Sequence, residues 1–187
     1  MADPFPPIAG TAASLRLLPP RTRLALRCDP ALLPAVGGAF GAAPPATPLA
    51  SAVAGGRAAL WLGPDEWLLL AEDGAAPALT VTLSAALAGA PASLVDVSHR
   101  HRAFEVSGPA AAALLNEGCP LDLDDAAFPA GACTRTLFGK IEILLWRPAA
   151  ASTFQVEVAR SFAAPLRALL AEALADLDEE APPPTPE

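Results

Sequence analysis

One structural phrase occurs twice in the chain, and that repetition limits its fold more than its composition does. Cys28-Asp-Pro30 and Ser107-Gly-Pro109 each join a strand-like alternation to a helix-like run. Ahead of the first joint, Leu24, Leu26 and Cys28 alternate with Arg23, Ala25 and Arg27, as in a half-buried strand. Asp29 can cap the short helix that follows, Pro30 suits its first turn, and Gly37-Gly38 weakens its end. Residues 41–56 read as a loop. Apolar runs at 58–62 and 67–71 flank Gly63-Pro-Asp-Glu66 and predict a hairpin. Leu79, Leu83, Ala86 and Leu87 fall at helical spacing after Pro77, although Thr80-Val-Thr-Leu83 also reads as a strand, and Ser93-Leu-Val-Asp-Val97 returns to a strand.

The second half repeats the order. Residues 102–106 predict a strand, and Gly108-Pro109 opens a helix that Gly118 stops. After a long loop over 119–132, one long strand is expected over 135–147, with Leu137, Ile141, Ile143 and Leu145 on one face. Phe154, Val156 and Val158 alternate in a further strand. The last helix carries Phe162, Leu166, Leu169, Leu170, Leu174 and Leu177 in one apolar stripe that must be buried, with Ser161 as its cap. Strand, helix, hairpin, helix, twice over, predicts an α+β fold of two fused ferredoxin-like βαββα units with mainly antiparallel sheets. The expected organisation is a Pro-rich arm over 1–20, a single globule over 21–178 with halves at about 21–98 and 99–178, and a disordered acidic tail over 179–187. The arm is either a loose terminus or an embrace of a partner, because Leu15, Leu17 and Leu18 are apolar for a free tail.

The seam between the halves holds both histidines. Val95 and Val97 are odd-numbered while Phe104 and Val106 are even, so one flat strand cannot bury both pairs on one face. A bend is therefore expected between Ser98 and Arg102. His99 and His101, near Asp96, are a weak signal for metal or acid–base chemistry, and surface or interface hydrogen bonding is the preferred reading. Asp122, Asp124 and Asp125 read as a capped turn. Arg100, Arg102, Arg135, Arg147 and Arg160 read as solvated strand edges or as contacts to a partner, and partner contact is the preferred reading. The candidate interface set is thus His99, Arg100, His101, Arg102, Arg135 and Arg160, and no residue is assigned to catalysis, a cofactor or a metal.

Composition narrows the classes of function. The net charge of −8 comes mostly from Asp176, Asp178, Glu179, Glu180 and Glu187, so neither a cationic partner nor nucleic acid is expected. No uncharged apolar run of about 18 residues occurs, the start Met-Ala-Asp-Pro-Phe-Pro-Pro lacks a signal-peptide pattern, and a cytoplasmic location without membrane contact is expected. Cys28, Cys119 and Cys133 are too scattered for a zinc knuckle or redox dithiol. No Gly-rich dinucleotide or phosphate-binding loop is present.

Six motifs, in order over about 57–175, are Leu60-Trp-Leu-Gly-Pro-Asp-Glu-Trp-Leu68, Val95-Asp-Val-Ser-His-Arg100, Ser107-Gly-Pro109, Gly118-Cys-Pro-Leu-Asp-Leu123, Phe128-Pro-x-Gly-Ala-Cys133 and Arg160-Ser-Phe-Ala163. Together they resemble the gamma-subunit family of heterotetrameric sarcosine oxidases. The last helix departs from that family's aromatic pattern at Pro165-Leu-Arg167. The Asp-Val-Ser-His and Ser-Gly-Pro elements are distantly similar to the folate-binding aminomethyltransferases, which include the glycine cleavage T protein. The resemblance implies an accessory subunit of an oxidoreductase that demethylates sarcosine to glycine, giving hydrogen peroxide and formaldehyde or methylenetetrahydrofolate. It implies alpha, beta and delta partner subunits, with direct contact to alpha. It also implies FAD, FMN, NAD, zinc and tetrahydrofolate on those subunits, none on this chain, and a structural or assembly role here. A stand-alone folate-binding or aminomethyltransferase-like module is the other reading, and on that distant similarity the five arginines also read as the remnant of a folate-like cleft.

Overall fold

The computed structural model describes residues 5–148 and 152–180. Eleven strands and four helices follow in chain order: β1 (Ile8–Ala9), β2 (Ser14–Leu17), β3 (Thr22–Cys28), α1 (Leu33–Phe40), β4 (Ser51–Ala54), β5 (Arg57–Gly63), β6 (Glu66–Ala71), α2 (Ala76–Ala86), β7 (Ala92–Asp96), β8 (His101–Ser107), α3 (Ala111–Asn116), β9 (Cys133–Phe138), β10 (Ile141–Trp146), β11 (Thr153–Ala159) and α4 (Ala163–Glu180). The described residues form two compact units, one of 19–101 with 131–135, the other of 5–18, 102–130, 136–148 and 152–180. The arm thus clusters with residues 102–130, and residues 131–135 with 19–101.

In the unit built on 19–101, the sheet runs β4-β5-β6-β3-β7. β3 sits centrally and pairs antiparallel with both β6 and β7. Its even-numbered side chains Leu24, Leu26 and Cys28, with Ala59, Trp67 and Leu69, meet Leu33, Val36 and Phe40 of α1 and Leu79 and Leu83 of α2 in one apolar core. Asp29 accepts from the Ala31 N–H at 2.8 Å and starts a 3-10 turn that leads into α1. That helix does not weaken at Gly37-Gly38 but runs on to Phe40, because burial of Val36 and Phe40 outweighs the roughly 1 kcal/mol that each helical glycine costs. Within the expected loop 41–56, Ser51–Ala54 forms an edge strand that turns at Gly55-Gly56 to pair with β5. Its signal was faint because three of four residues are small, whereas the Gly-Gly turn beside it is a recognised hairpin cue.

The other unit's sheet runs β1-β2-β8-β11-β10-β9. Set beside the first, the strand order from β9 to β2 repeats that from β4 to β7, with β8 in the place of β3 and β2 in the place of β7. The fourth strand of the second ferredoxin-like unit therefore comes from the N-terminal arm. Leu15 pairs with Val106 and Leu17 with Phe104, so the arm's leucines belong to this chain's own sheet. The arm is also tied to α4: the Asp178 Oδ1 accepts from Thr11 N at 3.0 Å, Thr11 Oγ1 at 2.7 Å and Ala12 N at 3.1 Å. Arg167 donates to the Pro6 carbonyl at 2.7 Å. Gly108 leaves room for this arm, since a Cβ there would lie 2.9 Å from the Ala12 oxygen.

The single strand expected over 135–147 is two strands, β9 and β10, joined by a two-residue turn at Gly139-Lys140. Gly139 takes φ +58°, which a tight hairpin turn needs. The reversal breaks the assumed parity, so Leu137 is exposed and Phe138 is buried. A 3-10 turn over Arg160–Phe162 precedes α4, so Ser161 lies in that turn and makes no cap bond to the helix. Of the predicted stripe, Leu166, Leu170 and Leu174 are buried, but Phe162 is 50% exposed and Leu169 40%. Phe162 precedes the helix, and Leu169 flanks the arc set by Leu166, Leu170 and Ala173. The helix continues to Glu180, past the start expected for the disordered tail; residues 181–187 of that tail lie outside the described residues.

Candidate functional site

The expected bend is a turn over residues 98–100 between β7 and β8. It is built by Asp96, whose Oδ1 accepts from the Ser98 N–H at 2.9 Å and from its hydroxyl at 2.5 Å. These bonds hold the Asp96 carboxyl below its ordinary range, with the hydroxyl bond the larger cause. Ser98 Oγ in turn accepts from the Arg23 N–H at 3.0 Å, and Val97 donates to the Arg23 carbonyl at 2.9 Å. Ser98 and Asp96 are therefore committed to the turn rather than to an imidazole. The family-like Asp-Val-Ser stretch is an Asx-type turn in physical terms.

His101 begins β8 and is half-buried, with its Nδ1 buried and without a hydrogen-bond partner among the described residues. Burial, and after it the positive charges of Arg100, Arg23 and Arg135, push its imidazole down to about 4. It is neutral at pH 7 and cannot act there as a cationic contact. His99 and Arg100 are exposed on the turn. The structure thus gathers Arg100, His101 and Arg135 in one electrostatic neighbourhood with Arg23, which sequence reasoning did not single out. Arg102 and Arg160 belong to the other unit, the first half-buried in β8 and the second exposed ahead of α4.

Arg135 has a further role. Its guanidinium grips Glu66 with two bonds, of 2.5 and 3.2 Å, and Arg27 adds a third at 2.9 Å. The Glu66 carboxyl is held below its usual range chiefly by the bond from Arg135, with burial opposing and Arg27 assisting. Glu66 belongs to the Gly-Pro-Asp-Glu turn, so that motif carries an ion-pair anchor that turn chemistry alone did not reveal. Arg147 is likewise internal. It is paired with Asp125, donates to the Phe128 carbonyl at 3.0 Å and lies over the Phe154 ring. In the same loop, Asp122 and Asp124 cap turns by accepting from Asp124 N and Ala126 N at 3.0 and 2.9 Å.

The three cysteines are free and buried, and burial raises the Cys133 thiol to about 12 and the Cys28 thiol above its ordinary value. Among the described residues, no cluster of three or more His, Cys, Asp or Glu could hold a metal ion. An open depression of about 470 Å³ is lined by Arg27, Cys28, Asp29, Asp65, Pro91 and Ser93, and burial, followed by the charges of Asp29 and Asp65, holds the Cys28 thiol in its unreactive protonated form. No helix among the described residues is long and apolar enough to cross a membrane.

Fold and site together define an α+β chain of two ferredoxin-like units whose polar clusters build turns and anchors. This is the fold of the aminomethyltransferase domain. The glycine cleavage system aminomethyltransferase T from Bartonella henselae superposes with a TM-score of 0.63 at 16% identity, over 89% of this chain and 46% of that one. A closer match is the heterotetrameric sarcosine oxidase from Corynebacterium sp. U-96 in complex with pyrrole 2-carboxylate, with a TM-score of 0.85 and 32% identity over 94% of this chain and 90% of that one. In sequence, the sarcosine oxidase subunit gamma of Corynebacterium sp. strain U-96 is 40% identical over 141 residues, 73% of this chain and 67% of the relative. That of an Arthrobacter sp. is 44% identical over 92 residues, 49% of this chain and 44% of the relative, so this second match spans less than half of the relative's length. The model of the sarcosine oxidase, gamma subunit family matches residues 25–176, and the chain belongs to that family.

Proposed function

We propose that this chain is the accessory gamma subunit of a heterotetrameric sarcosine oxidase, and that its role is structural: it completes and stabilises the assembly. The complex oxidatively demethylates sarcosine to glycine, releasing hydrogen peroxide with formaldehyde or methylenetetrahydrofolate. FAD, FMN, NAD, zinc and tetrahydrofolate belong to the alpha, beta and delta subunits, with alpha the direct neighbour of this chain, in the cytoplasm. The observation that carries this reading is the superposition on a chain of the Corynebacterium complex over 94% of this chain. The turn chemistry supports it, because Ser98, Asp96, Glu66 and Arg147 are all engaged in holding the fold. Half-exposed Phe162 and Leu169 are apolar surface of the kind that subunits cover.

The test is co-expression of alpha, beta and delta with and without this chain, followed by gel filtration and a peroxide-coupled sarcosine assay. Expected is a four-subunit particle only when the chain is present, with the oxidase activity lost faster on warming when it is absent. A three-subunit complex with unchanged assembly and stability would refute the role. Calorimetric titration of the isolated chain with tetrahydrofolate is expected to show no saturable heat; saturable binding would favour a folate module.

A further inference from the structure

β7 ends its sheet, whereas its counterpart β2 does not, because β1 pairs outside β2 at Ile8 with Leu15 and Ala9 with Ser14. Among the described residues no strand fills the matching place beside β7. The register shows which groups are left over. Val97 donates to the Arg23 carbonyl at 2.9 Å, so Val97, Val95 and Ser93 turn their backbone groups towards β3. Leu94 and Asp96 then turn theirs outward, where no further strand takes them up among the described residues. Val95 is 50% exposed, and neither lysine nor proline interrupts residues 92–96. Lysine and proline are two of the devices by which edge strands avoid unwanted pairing, and the one charged side chain here, Asp96, is drawn into the turn by Ser98. On the turn that follows, the Arg100 guanidinium is exposed and makes no hydrogen bond or ion pair among the described residues.

We propose that β7 is a docking edge on which an extended segment of another subunit of the oxidase adds as a further strand, as β1 adds to β2. The backbone of Leu94 and Asp96 supplies the pairing. The segment presents an apolar, β-branched residue to Val95 on the edge strand and a carboxylate to the exposed guanidinium of Arg100 on the turn that follows, a pairing that complements both in packing and charge. This rests on the subunit reading above and specifies where contact occurs.

Residue-resolved hydrogen–deuterium exchange on the full chain, alone and in complex with alpha, beta and delta, is the test. The Leu94 and Asp96 amides should slow by about a hundredfold or more in the complex, while Ser93 and Val95, already bonded to β3, change by less than about threefold. A complex that forms with unchanged exchange at Leu94 and Asp96 would sink the docking edge and leave the subunit reading standing. Failure of the unaltered chain to join a complex would sink both. Slowing in the isolated chain with a doubled mass would make the occupant a second copy and overturn the proposal. As an independent arm, Val95→Lys with Arg100→Glu should weaken assembly about tenfold or more with an unchanged circular dichroism spectrum; undiminished assembly counts against the edge.

Discussion

If the N-terminal arm is the fourth strand of a sheet, Leu15→Ala should behave as a core mutation although it lies in a Pro-rich leader. Leu15 is 1% exposed, between its partners Ile8 and Val106. Truncation removes three carbon groups, and at about 0.8 kcal/mol each the transfer loss is about 2.4 kcal/mol. The cavity left behind beside β1 and β8 adds to this, giving about 3 kcal/mol in all. With a urea m-value of about 2 kcal/mol per molar, the unfolding midpoint of this unit should fall by about 1.5 M. Unfolding followed by pulse proteolysis and by Trp146 fluorescence, a tryptophan of the same unit, measures it. Leu17→Ala, at a half-buried position, should cost distinctly less. A Leu15→Ala shift below about 0.3 M would mean that the arm is a loosely seated leader, and the strand assignment would fail.

Two further outcomes follow from side chains described above. Asp125 is 83% exposed while its partner Arg147 is only 4% exposed, so exposure misstates its importance. Asp125→Ala should cost about 2–3 kcal/mol by stranding a buried guanidinium, against about 1 for Asp122→Ala, and adding Arg147→Met should recover part of the loss in the same urea assay. His101, with a folded value near 4 against about 6.5 unfolded, gives an unfolded state that binds more protons between those limits. Stability should therefore fall as pH drops from about 6.5 to 4 and level off below, a slope that His101→Gln removes. A proton NMR titration of the imidazole with a midpoint near 6.5 would contradict this.

The parts of the fold legible in sequence were those where one period dominates. Leu24, Leu26 and Cys28 marked β3, and the change of parity between Val97 and Phe104 located the turn over residues 98–100. The β9–β10 hairpin was hidden because Leu137, Ile141, Ile143 and Leu145 keep one parity across Gly139-Lys140, so alternation ran unbroken through a reversal. The arm's pairing was illegible for a different reason: β2 finds its partner about ninety residues away, and no local pattern reports a long-range ladder. At the candidate site the arginines stood out as a type, but their roles depended on partners. Arg135 closes on Glu66 and Arg147 on Asp125, while Arg100 keeps an exposed guanidinium. Arg23 was passed over because an arginine at an odd position in a half-buried strand reads as the solvent face, whereas here it is buried.

The tie from Thr11 to Asp178 joins positions 167 apart in the chain. On a ribosome making about 5–20 residues per second, the arm emerges roughly 10–30 s before α4 can fasten it. The unit of residues 19–101 has most of its chain in hand early, but β2 and Leu15 wait unpaired until β8 emerges about ninety residues later, and the arm stays unfastened until α4 follows. Synthesis rather than equilibrium stability then becomes the vulnerable period. A bulky fusion at the N-terminus, or a pause late in translation, would prolong exposure of an apolar segment that the finished protein conceals.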